Sequence, residues 1–442
     1  MSDIVSHKIH KALKVRIYPS EEQKAILNKT FGCCRVVYNE RLAEHISYYN
    51  TYKNNPNRPK FKGTLPKELR ENKYPWLGED AIAEALIQSQ RNCEQAYSNF
   101  FKSLKGQRKG KKVGRPKYKS KKSHKDSFTL CMIRKEGLVD FNSRTIFIPK
   151  LKDTKFRIAN SSLKSKWIEW FLEATPLSMT VSGNACGEYY CSILFEREQD
   201  LEQSIKLSNS AGLDFSPNSL YVDNNNNTAP NYKPYKQLNS KKLTKLQRSL
   251  ARKQKGSKNR EKARVKLARF EKHIADSRKD YIEKETLRLV RTYGVIGIED
   301  LNLQGMMKFS HSAKNYVDTS WYTFTQKLIW KSQFNDCIVI KSDRFYPSSK
   351  TCNHCGYVNK NLTLKDRKWI CPNCGTEIIR DQNAAQNLRD NAISLLVDEI
   401  TSTLGMERTE VMSMEDMEAA YCNGALSGVS FEVEKRSSLV FS

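Results

Sequence analysis

Histidine is scarce in this chain, with seven in 442 residues. None lies in the carboxylate-bearing segments discussed below, which argues against a His-based ribonuclease or a His-ligated metal nuclease. A phosphate-cradling GxxxxGK[ST] loop is missing, so an ATP-driven helicase is disfavoured. No uninterrupted apolar run approaches the ~18 residues of a membrane span. The opening MSDIVSHKIHK holds no apolar core segment, so a secretory signal peptide is not expected. The chain is expected in the cytoplasm, where thiols stay reduced, and its twelve Cys are not read as six disulfides. Aromatic residues make up 10% of the chain, too many for a disordered basic tail.

Acidic residues are also few. There are 48 Asp and Glu against 76 Lys and Arg, a net charge of +28. From Asp398 to Ser442 nine acids face three bases, a balance of −6, so residues 1–397 carry +34. A surplus of that size destabilises a compact fold by self-repulsion unless a polyanion neutralises it. Nucleic acid is the default partner and an anionic membrane surface the rival. The length fits two to four domains.

Leu13, Val15 and Ile17 alternate with Lys14 and Arg16, the period-two pattern of a half-buried strand. Pro19 stops it, and Ser20 with Gln23 forms a capping-box signal for a long helix. Asn54–Gly63 holds two Pro, one Gly and three Asn and reads as a loop. A second helix is expected from about Glu79 to Leu104. Lys102–Lys125 holds twelve Lys or Arg in 24 residues and no acid. It reads as a solvated linker or as a nucleic-acid contact, and the global charge favours the contact. Its Lys109, Lys111, Lys112, Arg115 and Lys117 are candidate phosphate ligands.

Strands are expected at Thr145–Pro149, Leu177–Ser182 and Tyr189–Phe195, with a helix at about Ser161–Glu173. Strands on both sides of the first helices suggest a β-barrel or sheet with a helical insertion. A new unit begins near Lys206: a strand ending at Ser216, a hairpin partner at Leu220–Val222, and helices over Leu238–Gln254 and Lys258–Val290 joined at Gly256–Ser257. Those helices are very basic, and Arg252, Lys253, Lys255 and Arg260 at their junction are further nucleic-acid candidates. A buried strand at Gly294–Glu299, a helix at Ser320–Phe334, a strand at Cys337–Lys341 and a helix at Asp381–Leu396 complete an α/β unit. The whole chain reads as an α+β multidomain protein.

Cys352-Asn-His-Cys355 and Cys371-Pro-Asn-Cys374 lie fifteen residues apart, the spacing of a four-Cys zinc site. Two such knuckles complete a tetrahedron of thiolates and leave no position open for water, so one structural Zn²⁺ is expected. Gly356 and Gly375 follow each pair, where a tight turn calls for positive φ. The other eight Cys show no comparable spacing and read as buried thiols.

Asp214 (GLDFS) and Glu299 (GVIGIED) end buried strands, and Asp381 (RDQNAAQN) opens a helix. Each alone has a bland explanation, an Asx turn for Asp214 and a helix-start preference for Glu299 and Asp381. Together, three acids at element ends of one α/β unit converge in space and repel unless a cation is present. Mg²⁺ is held by one or two carboxylates plus phosphate oxygens, and two such ions ~4 Å apart serve phosphodiester hydrolysis. A basic protein with such a cluster is a candidate metal-dependent nuclease.

These motifs carry a resemblance. GLDFS, KKLTKLQRSLARKQKGSKNREKARVKLAR, IEDLNLQGM, YPSSKTCNHCGYVNKNLTLKDRKWICPNCG and RDQNAAQN follow in the order seen in the TnpB family of transposon-encoded RNA-guided endonucleases. They are also similar to the miniature type V CRISPR effectors. LKVRIYPSEEQKAILNKTFGCCRVVYNERL resembles the family's start, and the match runs from about Lys8 to Arg389. The resemblance implies a split RuvC-like nuclease domain of RNase H fold (206–345 and 379–397). Its catalytic acids would be Asp214, Glu299 and Asp381, holding two Mg²⁺. A zinc ribbon (346–378) would be inserted in it, with Cys352, Cys355, Cys371 and Cys374 on Zn²⁺. A wedge-like N-terminal β-barrel (1–19 and 126–205) would carry a helical recognition insertion (20–125). A guide RNA would supply specificity for double-stranded target DNA beside a short flanking motif, in a bacterial or archaeal cell. A monomer is favoured. The acidic tail, 398–442, matches nothing in the family and is expected to be flexible. The rival classes are a non-enzymatic nucleic-acid-binding protein, a DNA-pasting transposase and a membrane-surface protein. The basic helical pair lacks Trp on its apolar face, which places the last of these behind the others.

Overall fold

A computed structural model describes residues 7–404, apart from 56, 80, 109–111, 124–125, 159–165, 200–208, 304, 307–318 and 364. The chain divides into two compact units, His7–Gln199 and a second that runs from Asp200 onward. No helix among the described residues is long and apolar enough to cross a membrane.

In the first unit, β1 (His7–Ile17) buries Ile9, Leu13, Val15 and Ile17 on one face, as the alternation predicts. It pairs antiparallel with β7 (Tyr189–Gln199) along its whole length. With β6 (Thr175–Gly183) and β2 (Asp126–Leu130) these make a four-stranded sheet in the order β1-β7-β6-β2. The strands β3 (Val139–Asp140), β4 (Thr145–Ile148) and β5 (Lys152–Lys155) form a separate three-stranded meander. The two sheets meet where Ile17 bridges Phe156 and the Tyr18 N–H donates to the Lys155 carbonyl at 2.7 Å.

Helix α1 (Glu21–Tyr52) begins with the expected reciprocal cap between Ser20 and Gln23. The Gln23 amide has a second duty, donating to the Leu151 carbonyl at 2.8 Å in the meander turn. α1 packs on α3 (Ala83–Leu104) through Tyr38 and Leu42 against Cys93 and Tyr97. The sequence reading missed α2 (Pro66–Asn72), which starts on a Pro at its first turn and on the Leu65 N–H donated to Glu68 at 2.9 Å.

The basic stretch is not a loose linker where it is described. Asn39 brackets Lys119 by accepting its N–H at 2.8 Å and donating to its carbonyl at 3.0 Å, and Val113 N–H donates to Ser103 at 2.9 Å. Arg115 lies over the Tyr49 and Phe100 rings at 5.1 and 6.0 Å. Hydrogen bonds thus tie this segment to α1 and α3.

The second unit is built on a sheet in the order β11-β10-β8-β9. Three of its strands are parallel, β8 (Ser210–Ser216), β10 (Val295–Ile298) and β11 (Ile338–Lys341), and β9 (Leu220–Asp223) turns back beside β8. Leu213, Ile296, Ile298 and Val339 face a core completed by Ile282, Leu289, Phe324 and Leu328 from the helices Lys258–Thr292 and Trp321–Ser332. Alternation sends Gly212, Asp214, Gly297 and Glu299 to the opposite face. There the C-terminal helix, Arg380–Leu404, lies directly on the strands. It runs past the expected boundary at 397, taking in the first residues of the acidic tail; the rest of that tail, 405–442, lies outside the described residues.

Close seating of that helix depends on two glycines paired in register, Gly212 and Gly297. A Cβ on Gly212 would sit 1.8 Å from the Ala385 carbonyl oxygen, and one on Gly297 2.1 Å from that of Leu388. Neither obstacle is a flexible side-chain end. Gly212→Ala is therefore expected to destabilise the protein by about 3 kcal/mol in urea unfolding. Gly256→Ala meets no atom within 4 Å but sits at φ +88°, and should cost about 1 kcal/mol.

Candidate metal and nuclease site

The parallel register places the three expected acids. Leu213 pairs with Ile298, so Asp214 and Glu299, one residue further on each strand, are neighbours at the same sheet edge and on the same face. Asp381 lies in the first turn of the helix that covers that face. Asp214 is buried, only 8% exposed. Its burial, then the charges of Glu299 and Asp381, push its carboxyl well above the usual carboxylate range, and Arg380 and Arg367 only partly oppose this. Burial raises Glu299 too, against a hydrogen bond from the Ser348 hydroxyl to its Oε1 at 2.8 Å.

The three carboxylates are close enough to sense one another but do not close into a single ligand group. Among the described residues, the four Cys are the one set of three or more His, Cys, Asp or Glu with ligand atoms all within 4.8 Å. Asp381 is held instead by two guanidinium groups. Arg367 reaches its Oδ2 at 3.1 Å, and Arg380 its Oδ1 at 2.9 Å. Sequence reasoning missed both arginines. Arg380 precedes Asp381 directly, so its part was available in RDQN; Arg367 comes from the cysteine-bearing insertion and becomes a neighbour only through folding.

Cys352 and Cys371 are buried and Cys355 and Cys374 exposed. Two of their sulfur separations are 3.8 Å (Cys352–Cys374) and 3.5 Å (Cys355–Cys371). Tetrahedral zinc with Zn–S of about 2.3 Å requires sulfurs about 3.8 Å apart, so the donors fit. Gly356 and Gly375 adopt φ of +74° and +72°, as the knuckle turns demand. The antiparallel pair Lys368–Ile370 and Glu377–Ile379 stiffens the second knuckle, and Trp369 and Ile378 pack against Cys352 and Cys371.

This ribbon is fastened to the acid-bearing helix. Asn353 N–H donates to Asn383 Oδ1 at 2.9 Å, and its amide donates to Asp390 at 2.7 Å. Buried Asn383 and Asn387, one turn apart, both donate to the Thr351 carbonyl at 2.7 Å. The first knuckle and the helix bearing Asp381 thus form one hydrogen-bonded body.

The remaining expected residues scatter. Lys109 and Lys111 lie outside the described residues; Lys112, Arg115 and Lys117 are exposed along the segment tied to α1 and α3. At the hairpin junction Arg252 and Lys255 are exposed, Lys253 half-buried. Arg260 is turned inward, donating to the Leu250 and Lys253 carbonyls at 2.8 Å each, so it caps the helix Ser240–Ala251. Among the other cysteines Cys131 is exposed rather than buried, because it follows β2 into a surface turn; Cys422 lies outside the described residues.

A family model described as "Probable transposase", of the IS605 OrfB type, matches residues 192–310. A second, "Cas12f1-like, TNB domain", matches 321–388, and a "Helix-turn-helix domain" model matches 9–54. That last segment is one strand followed by an unbroken 32-residue helix. A "Putative RNA-guided DNA endonuclease" of Streptomyces pristinaespiralis is 30% identical over 382 residues, 86% of this chain and 89% of the relative. The similarly named InsQ of Escherichia coli K12 is 27% identical, over 85% of this chain and 91% of its own. A solved Cas12f1–sgRNA–target DNA complex matches at 14% identity and TM-score 0.49, over 86% of this chain and 99% of that one. The chain belongs to the TnpB family of the IS605 OrfB type.

Two outcomes follow from the geometry. With no cation beside them, Asp214 and Glu299 oppose folding at neutral pH, since their folded values lie above the ~4 of an unfolded carboxylate. The penalty is full above the raised values and is relieved as pH falls through them toward ~4. Asp214→Asn should accordingly raise Tm in magnesium-free buffer at pH 7.5 by about 2–4 °C. Chelating zinc should speed amide hydrogen exchange over 380–391, and Asn383→Ala should do the same with zinc bound.

Proposed function

We propose that this protein is an RNA-guided DNA endonuclease that hydrolyses phosphodiester bonds at Asp214, Glu299 and Asp381. The observation that carries the reading is the convergence of Asp214 and Glu299 at one sheet edge beneath Asp381, with Asp214 raised by the other two charges. Buried like charges call for a cation, and a chain of +28 calls for a polyanion.

Each residue then has a part. Asp214, Glu299 and Asp381 would hold two Mg²⁺, which when bound supply Lewis acidity toward the phosphate and lower the pKa of water. The Ser348 hydroxyl turns one oxygen of Glu299, leaving the other free. Arg367 and Arg380 hold the Asp381 carboxylate in place. Cys352, Cys355, Cys371 and Cys374 would carry one structural Zn²⁺ that keeps the ribbon, and with it Arg367, beside the acids.

The second unit is read as a RuvC-like domain of RNase H fold, and the first as the wedge-like barrel with its helical recognition insertion. A guide RNA pairs with one strand of target DNA, and backbone contacts tip a nearly balanced strand exchange. Lys109, Lys111, Lys112, Arg115 and Lys117, with Arg252, Lys253 and Lys255, are assigned to phosphates. The inward-turned Arg260 is assigned to the hairpin. The similarity to relatives named as RNA-guided DNA endonucleases supports this reading. The match to a Cas12f1-like domain model keeps a miniature CRISPR effector with the same chemistry as the second reading.

The test is cleavage of a guide-matched plasmid by the chain purified with its RNA. Asp214→Ala should lower the Mg²⁺-dependent rate by roughly 10³-fold or more, with RNA and target binding retained in a gel-shift assay. Full cleavage by that variant would remove Asp214 from the site. Binding should weaken steeply with salt, by ~10³-fold between 50 and 200 mM if many phosphates are contacted. A transposon-end RNA co-purifying with the chain marks a transposon nuclease, and a repeat-derived RNA marks a CRISPR effector.

A further inference from the structure

The segment after β11 carries an aromatic ring that the fold leaves in water. Phe345 is 87% exposed, more than any other large hydrophobic side chain among the described residues. An aromatic ring left out of the core forfeits the largest burial gain a side chain offers. Slack in the backbone does not explain it, because the segment is pinned on both sides. Before the ring, Arg344 pairs with Asp300, the residue after Glu299, and Asp343 Oδ1 accepts the Phe345 N–H at 2.8 Å. After it, the Tyr346 N–H donates to the Asp343 carbonyl at 3.1 Å, and the Tyr346 hydroxyl to the Asn387 carbonyl at 3.3 Å. Ser348, three residues on, holds Glu299. The ring is thus mounted on a turn whose two ends are bonded to Glu299 and its neighbour.

The surroundings select the ligand. Lys341 and Lys350 are exposed on the same segment, Arg344 neutralises Asp300, and Asp343 accepts the Phe345 N–H. A rigid, exposed aromatic ring among cations is the combination that takes unpaired nucleic acid, with bases on the ring and phosphates on the cations. A duplex offers no free base face to such a ring, so the partner is single-stranded.

We propose that Phe345 is a stacking platform for an unpaired nucleobase of the DNA strand that enters the acid site, and that it sets which phosphate reaches Asp214 and Glu299. The proposal rests on the nuclease reading and adds to it a residue that positions the entering strand. Stacking on a ring tolerates any base, so Phe345 positions the strand without reading its sequence.

The experiment uses the full chain carrying Asp214→Ala, so that DNA stays intact, and a single-stranded deoxyoligonucleotide with 2-aminopurine moved one position at a time. Stacking should quench the fluorescence at one or two adjacent positions. Adding Phe345→Ala should abolish the quench and weaken single-strand affinity by roughly 10-fold, leaving affinity for RNA and for duplex DNA unchanged. Phe345→Trp should restore both. In the Asp214-intact chain, Phe345→Ala should raise KM for a single-stranded substrate and blur the cut position. A quench indifferent to Phe345→Ala overturns the proposal. So does an equal loss of single-strand and duplex binding, or a concentration-dependent dimer that disappears with Phe345→Ala. Absence of Mg²⁺-dependent cleavage in the Asp214-intact chain would instead overturn the nuclease reading, and the fluorescence result would stand apart from it.

Discussion

The geometry of the acid site depends on backbone meeting backbone. Gly212 and Gly297 stand side by side on adjacent parallel strands, and the carbonyls of Ala385 and Leu388 occupy the space their side chains would fill. Side chains at these two positions would hold the helix off the sheet. Without those side chains the helix is seated lower. Its first turn then lies over the strand ends where Asp214 and Glu299 emerge. The helix surface is correspondingly small, with Ala384, Ala385 and Ala392 fully buried beside Leu388. Two absent Cβ atoms thus determine whether a third carboxylate reaches the other two.

Around that seat the charges are arranged in opposition. Asp214 is buried and Glu299 half-buried, with the Ser348 hydroxyl on the latter, whereas Asp381 has two guanidinium partners. Asp214 feels the charges of the other two, and Asp381 is fixed in place by its two arginines. The ribbon supplies Arg367 and grips the helix through Asn353, Asn383 and Asn387, so it belongs mechanically to the site although it is chemically separate.

Much of this was legible in advance, for identifiable reasons. Alternation at Leu13, Val15 and Ile17, the Ser20–Gln23 cap and the Gly256–Ser257 junction are local signals, and the elements they announce are present. The two C-x-x-C turns were legible because metal geometry restricts spacing. The acids were legible as a set, since each closes or opens an element of one α/β unit. What escaped was what depends on long-range contact. Arg367 meets Asp381 only after the insertion folds back, and Arg260 looks like another surface cation until its partner carbonyls are known. The Lys102–Lys125 stretch has a linker's composition, yet Asn39, 80 residues from Lys119, holds it in place.

Gln23 has a further consequence. Its backbone and side chain complete the start of α1, the most local of signals, while the same amide reaches the turn at Leu151, 128 residues away. The cap itself is local, but the Gln23 Nε2 donor finds its carbonyl only after a loop of more than a hundred residues has closed. On a ribosome, with the chain emerging from its N-terminus, the capped helix start would leave the exit tunnel well before the Leu151 carbonyl that Gln23 bonds has been synthesised.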